Sequence, residues 1–136
     1  MAWHHSIYIS GPEFYPSRVP FRFTEAWDTN TKIGLRGPFK GQLLQFGSAR
    51  LVVPQTVEID QRIKYLADRI VPILTLLREC GAETWNVWVI REYHAQCNEE
   101  FIPSEIEALM RLQCSLCYEA FEVSDEAEKE WPDQSE

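Results

Sequence analysis

Apolar residues recur at Ile59, Ile63, Leu66, Ile70, Leu74 and Leu77, at spacings of four, three, four, four and three. That rhythm keeps them on one side of a helix with about 3.6 residues per turn. It predicts a long amphipathic helix beginning near Thr56, a candidate N-cap, with Glu58 and Asp60 in the first turn where the helix dipole favours acid. Pro72 lacks an N–H and frees the carbonyl of Asp68, so a kink is predicted there; the stripe continues beyond it. Gly81 supplies a left-handed cap. Thr84 to Tyr93 then reads as strand, with Trp85, Val87 and Val89 on one face and Trp88 and Ile90 on the other. A strand apolar on both faces belongs inside a sheet.

Trp3 to Ser10 alternates: Trp3, His5, Ile7 and Ile9 share one face, and His4, Ser6, Tyr8 and Ser10 the other. This is an edge or second strand with a polar outer face, ended by Gly11-Pro12. Pro16 and Pro20 limit any helical turn between Pro12 and Val19. Phe21 to Gly41 reads as a long loop anchored by Trp27 and Phe39. Gln42–Phe46 and Ala49–Val53 read as a hairpin around Gly47-Ser48. Ser104 to Leu112 is a second helix: Ser104 and Glu107 have capping-box spacing, and Ile106, Leu109 and Met110 form its buried stripe. Ser115 to Val123 closes the core as a strand. The order predicts an α+β fold, a mostly antiparallel sheet of four to five strands with one long and one or two short helices on one face. A single domain is expected over 1–123, followed by a frayed acidic tail over 124–136.

No apolar run approaches the ~20 residues that span a bilayer, and the N-terminus lacks a basic start followed by an apolar core. The expected compartment is the cytoplasm, where Cys80, Cys97, Cys114 and Cys117 stay reduced. Cys114 and Cys117 have the spacing of half a zinc site, but on a strand residues three apart face opposite sides, and there is no second closely spaced pair. They read as half-buried thiols, and no metal or cofactor is expected.

Charge adds more. Residues 1–57 hold six basic and three acidic side chains, a balance of +3; the remainder carries seven basic and eighteen acidic, a balance of −11, within a total of −8. Phosphate contacts need Lys and Arg, so the acidic part does not bind nucleic acid. An acidic face instead speeds encounter with basic proteins; the competing reading is solubility alone. His4 and His5 diverge on a strand and cannot chelate one ion together. His94 and Cys97 have the spacing of a dyad, with neither an orienting acid beyond Glu92 nor an oxyanion site nearby. Glu99, Glu100, Glu105 and Glu107 read as a solvated helix start and its preceding loop rather than as paired catalytic carboxylates. No phosphate loop, dinucleotide fingerprint, zinc-protease or serine-hydrolase motif is present in the sequence.

The run Ser6-Ile-Tyr-Ile-Ser-Gly11, then Pro12-Glu-Phe-Tyr-Pro-Ser, resembles the opening of a family of small bacterial domains of the polymorphic-toxin immunity type. Trp27, the hairpin at Gln42–Val53, the helix from Glu58 and the closing Ile106–Val123 fit the family's order over most of residues 6–123. The loop lacks that family's basic-Gly pair directly after its Trp, and the hairpin lacks its Trp. The resemblance implies a cognate immunity role and lends no catalytic residues.

The expected function is therefore an immunity protein that neutralises a basic toxin domain, such as a nuclease, by occlusion, without enzymatic activity. The expected contact residues are Glu99, Glu100, Glu105, Glu107, Glu122 and Asp125, with Trp27, Phe39 and Trp131 as aromatic anchors. The alternative is a small-ligand-binding or regulatory domain, the aromatic Phe21–Phe39 loop lying over a sheet pocket. An enzyme using His94 and Cys97 ranks third.

Overall fold

The computed structural model describes residues 3–31 and 40–123. Five strands form one mixed sheet in the order β2-β3-β1-β4-β5: β1 Trp3–Gly11, β2 Glu25–Trp27, β3 Gly47–Val52, β4 Thr84–Tyr93 and β5 Ser115–Glu122. Three helices complete an α+β fold: α1 Arg62–Ile70, α2 Leu74–Glu79 and α3 Pro103–Leu112. Phe39, Asp125 and Trp131 lie outside the described residues, as does the tail expected over 124–136.

Alternation on β1 is as the pattern predicts, with His5, Ile7 and Ile9 buried and their neighbours half-buried. β4 lies between β1 and β5, which accounts for a strand with apolar side chains on both faces. It pairs with β5 in parallel, Val87 opposite Leu116 and Val89 opposite Tyr118. A parallel pair needs a crossover, and α3 supplies it. Side-chain alternation is the same for either strand direction, so the hydrophobic pattern could not announce this pairing.

The expected hairpin around Gly47-Ser48 does not form. Those two residues begin β3, which pairs antiparallel with β2, Trp27 opposite Ser48 and Glu25 opposite Arg50. Gly47 is needed for packing: a Cβ there would lie 1.9 Å from the Phe14 carbonyl oxygen. The chain before β3 instead pairs with the chain after β2, Leu44 N–H donating to Thr31 (2.8 Å) and Asn30 N–H to Leu44 (2.9 Å).

The predicted long helix runs as a 3-10 turn (Ile59–Gln61), α1, a second 3-10 turn (Val71–Ile73) containing Pro72, and α2. It starts three residues later than Thr56, and its N-cap position carries Glu58 without a side-chain cap. Proline's missing donor converts the middle turn to 3-10 geometry. Gly81, at φ +102°, follows α2 as the predicted left-handed residue.

The chain divides into two compact units. One comprises Met1–Ile7, Val52–Val71 and Asn86–Glu136; the other Tyr8–Leu51 and Pro72–Trp85. In the first, α1 packs against α3 over a core that includes Ile63, Leu66, Ile70, Val87, Val89 and Leu112. In the second, Ile9, Phe14, Leu51, Leu74 and Leu77 are buried.

Candidate functional site

In the first unit, the glutamates singled out from sequence separate into two roles. Glu105 is only 4% exposed, and its carboxylate accepts the Ile102 N–H at 3.0 Å, capping α3. Burial raises its pKa above the usual carboxylate value, and the Ile102 N–H opposes that rise. The expected Ser104–Glu107 capping box is thus replaced by one two residues earlier, Ile102–Glu105, with Pro103 at the first helical position. Glu99 is half-buried and ion-paired with Arg91, whose guanidinium also donates to the Asn98 carbonyl and lies over the Trp3 ring, 4.7 Å from its centroid. The reading of Glu99 and Glu105 as solvated residues is therefore corrected: both are structural. Glu100, Glu107 and Glu122 are exposed, and so is Glu119.

The same unit also exposes apolar side chains. The stripe predicted for α3 is wrong in phase: Glu105, Ala108 and Leu112 are buried, whereas Ile106 and Met110 are 49% and 74% exposed. Tyr118 on β5 is also exposed.

Cys97 has two described side-chain partners in this unit. Its thiol donates to the Glu99 carboxylate at 3.4 Å and lies 3.2 Å from the Tyr118 hydroxyl. Desolvation, then the hydrogen bonds with Cys97 and Glu99, push the Tyr118 phenol above its ordinary pKa. All four cysteines are half-buried free thiols, and among the described residues no group of His, Cys, Asp and Glu side chains could hold a metal ion.

His4 and His5 diverge as predicted. His4 Nε2 lies 3.4 Å from the buried Glu92 carboxylate. His5 meets Arg62, a buried cation that sequence reasoning missed. The Arg62 guanidinium donates to the carbonyls of Val57 (2.9 Å), Trp3 (3.0 Å) and Gln55 (3.1 Å), and approaches His5 Nδ1 at 3.4 Å. An arginine can only donate, so Nδ1 accepts and the imidazole proton sits on Nε2, a buried atom without a partner. Desolvation first, then Arg62 and His4, lowers the His5 pKa from 6.5 to about 3. The only signal for this network was His5 on the inward face of β1.

The second unit carries an open groove of about 390 Å³, lined by Pro16, Ser17, Val19, Phe21, Phe23, Ala26, Trp27, Asp28 and Thr31. Its walls are locally fixed. A 3-10 turn over Pro16–Arg18 packs against β2, and the Asp28 carboxylate accepts from the Ser17 N–H (3.0 Å) and the Ser17 hydroxyl. Thr29, buried next to Asp28, places its hydroxyl between the Pro12 and Phe14 carbonyls at 3.0 and 3.2 Å. That pins the exit of β2 and leaves Trp27 53% exposed on the groove. Phe21 and Phe23 pack as a tilted pair, centroids 4.8 Å apart. Of the aromatic loop read from the sequence, Phe21, Phe23 and Trp27 line this groove, and Phe39 lies outside the described residues.

No protein-family model, curated protein or solved structure matches the chain. Among the described residues no helix is long and apolar enough to cross a membrane.

Proposed function

We propose that this chain is an immunity-type binding module that neutralises a basic protein toxin by covering its working surface. The observation that carries the reading is the first unit's surface: Ile106, Met110 and Tyr118 exposed, in the same unit as the exposed carboxylates of Glu100, Glu107, Glu119 and Glu122. Apolar contact with a charged rim is the anatomy of a protein interface, and acid of one sign selects basic partners and speeds their capture. β5 lies at the end of the strand order, where a partner strand could add.

The structure also selects the right variant to test this. Reversal at Glu99 or Glu105 would break an ion pair or a helix cap and confound binding with folding. Lysine at Glu100, Glu107, Glu119 and Glu122 leaves those contacts intact. With the toxin encoded by the neighbouring gene, the quadruple variant is expected to associate at least tenfold more slowly at low salt, with melting temperature little changed. Unaltered association at low salt would remove this surface from the interface.

A further inference from the structure

We infer that the groove around Trp27 is a subsite for an arginine side chain of a polypeptide partner. The inference rests on the reading of the chain as a binder of basic proteins, and assigns a second surface to that task.

Three aromatic rings, Phe21, Phe23 and Trp27, share the groove with one carboxylate, Asp28, and among the described residues no basic side chain lines it. The basic side chains of this unit whose ring contacts are described stack elsewhere, Arg18 on Tyr15 at 4.3 Å and Arg78 on Trp85 at 4.9 Å. Among the described residues no cation stacks on Trp27 or pairs with Asp28. The Ser17 N–H takes one Asp28 oxygen and the Ser17 hydroxyl the other, so the carboxylate is held in place while each oxygen keeps a second lone pair.

The class of ligand follows from that chemistry. An anion would be repelled by Asp28 and find no donor cation. A purely apolar group would cover the rings while stripping water from an ionised carboxylate, which is costly. A guanidinium meets both demands: it stacks flat on an aromatic face and gives paired N–H donors to a carboxylate. Lysine offers the charge without the planar stack. A volume of 390 Å³ lies at the small end of ligand pockets, fitting one side chain and its flanking backbone rather than a folded element.

The test uses the full chain and a capped heptapeptide, Gly-Ser-Gly-Arg-Gly-Ser-Gly, with citrulline in place of arginine as its uncharged isostere. The readout is the indole N–H resonance of Trp27, assigned with Trp27→Phe. The arginine peptide is expected to shift it saturably, at least about tenfold more tightly than the citrulline peptide, and Asp28→Asn is expected to erase most of that difference. Trp27→Ala, with its fold checked by the dispersion of its amide spectrum, is expected to abolish the shifts of neighbouring Phe21 and Phe23. Equal response to both peptides, or none, overturns the inference. The outcome is independent of the wider proposal: arginine binding without a basic toxin partner would sink the immunity reading alone. A captured toxin whose affinity is unchanged by Trp27→Ala and Asp28→Asn would sink the groove alone.

Discussion

Arg62 and His5 form a buried polar arrangement in the first unit, a guanidinium answered by three carbonyls and a neutral imidazole. Its effect on stability has a definite sign. In the fold His5 is held neutral down to about pH 3, whereas in the unfolded chain it takes a proton near 6.5. Above 6.5 both states are neutral at this position and stability is unaffected. Below it the unfolded chain gains a proton that the fold refuses, so stability falls by up to about 1.4 kcal/mol per pH unit until about pH 3. Urea titrations of the native protein and of His5→Leu between pH 7.5 and 4.5 are expected to diverge in that way, the variant losing this part of the slope. Parallel pH dependences would mean that His5 is protonated in the fold. Part of this was legible, because β1's alternation put His5 inward. Its partner was not: Arg62 lies beside the apolar stripe of α1, and nothing in periodicity marks a buried cation there.

Among the elements, those set by local chemistry were readable and those set by packing were not. Gly81 ends α2 with a positive φ, as expected of a glycine after a helical stripe, and also allows close approach: a Cβ would lie 1.9 Å from the Glu13 carbonyl oxygen. Gly41 has φ +80°, and among the described residues nothing lies within 4 Å of a Cβ placed there. Gly41→Ala is therefore expected to cost about 1 kcal/mol, from conformation alone, and Gly81→Ala at least about 2 kcal/mol more, from backbone collision. Chemical denaturation of the two variants checks the difference; equal costs would show that the Glu13 turn yields. The failed readings have different causes. Gly47-Ser48 has the sequence of a tight turn, yet Gly47 is there because Phe14's backbone leaves no room for a side chain. α3 has an apolar stripe, yet buries the face that holds its own cap. In the first, a contact distant in sequence outweighed a local preference; in the second, a local cap formed at Ile102 and Glu105 instead of at the expected pair. The groove was half legible, its aromatic residues clustered in the chain and its carboxylate clamp invisible, since Ser17 and Asp28 meet only when the 3-10 turn packs on β2.

At the scale of the whole molecule, charge is the property that the sequence states most directly and the fold uses selectively. Of the balance of −11 over residues 58–136, Glu99, Glu105 and Asp68 serve internal contacts, Asp68 accepting from Lys64 at 2.8 Å and Arg111 at 3.1 Å. Among the described residues, Glu100, Glu107, Glu119 and Glu122 stay exposed on α3, β5 and the loop before α3, the carboxylates that the proposed reading uses. Attraction between exposed charges is screened beyond about 8 Å at physiological salt, so capture through them must be salt-sensitive in rate. The most direct measurement is capture from the native host at low salt, with the tagged chain and its neighbouring gene product co-expressed. One basic protein should be recovered, bound tightly, its association slowing as salt is raised and its toxicity suppressed while bound. Abundant expression of both proteins with no complex, or a complex that leaves the toxin active, would contradict a neutralising role.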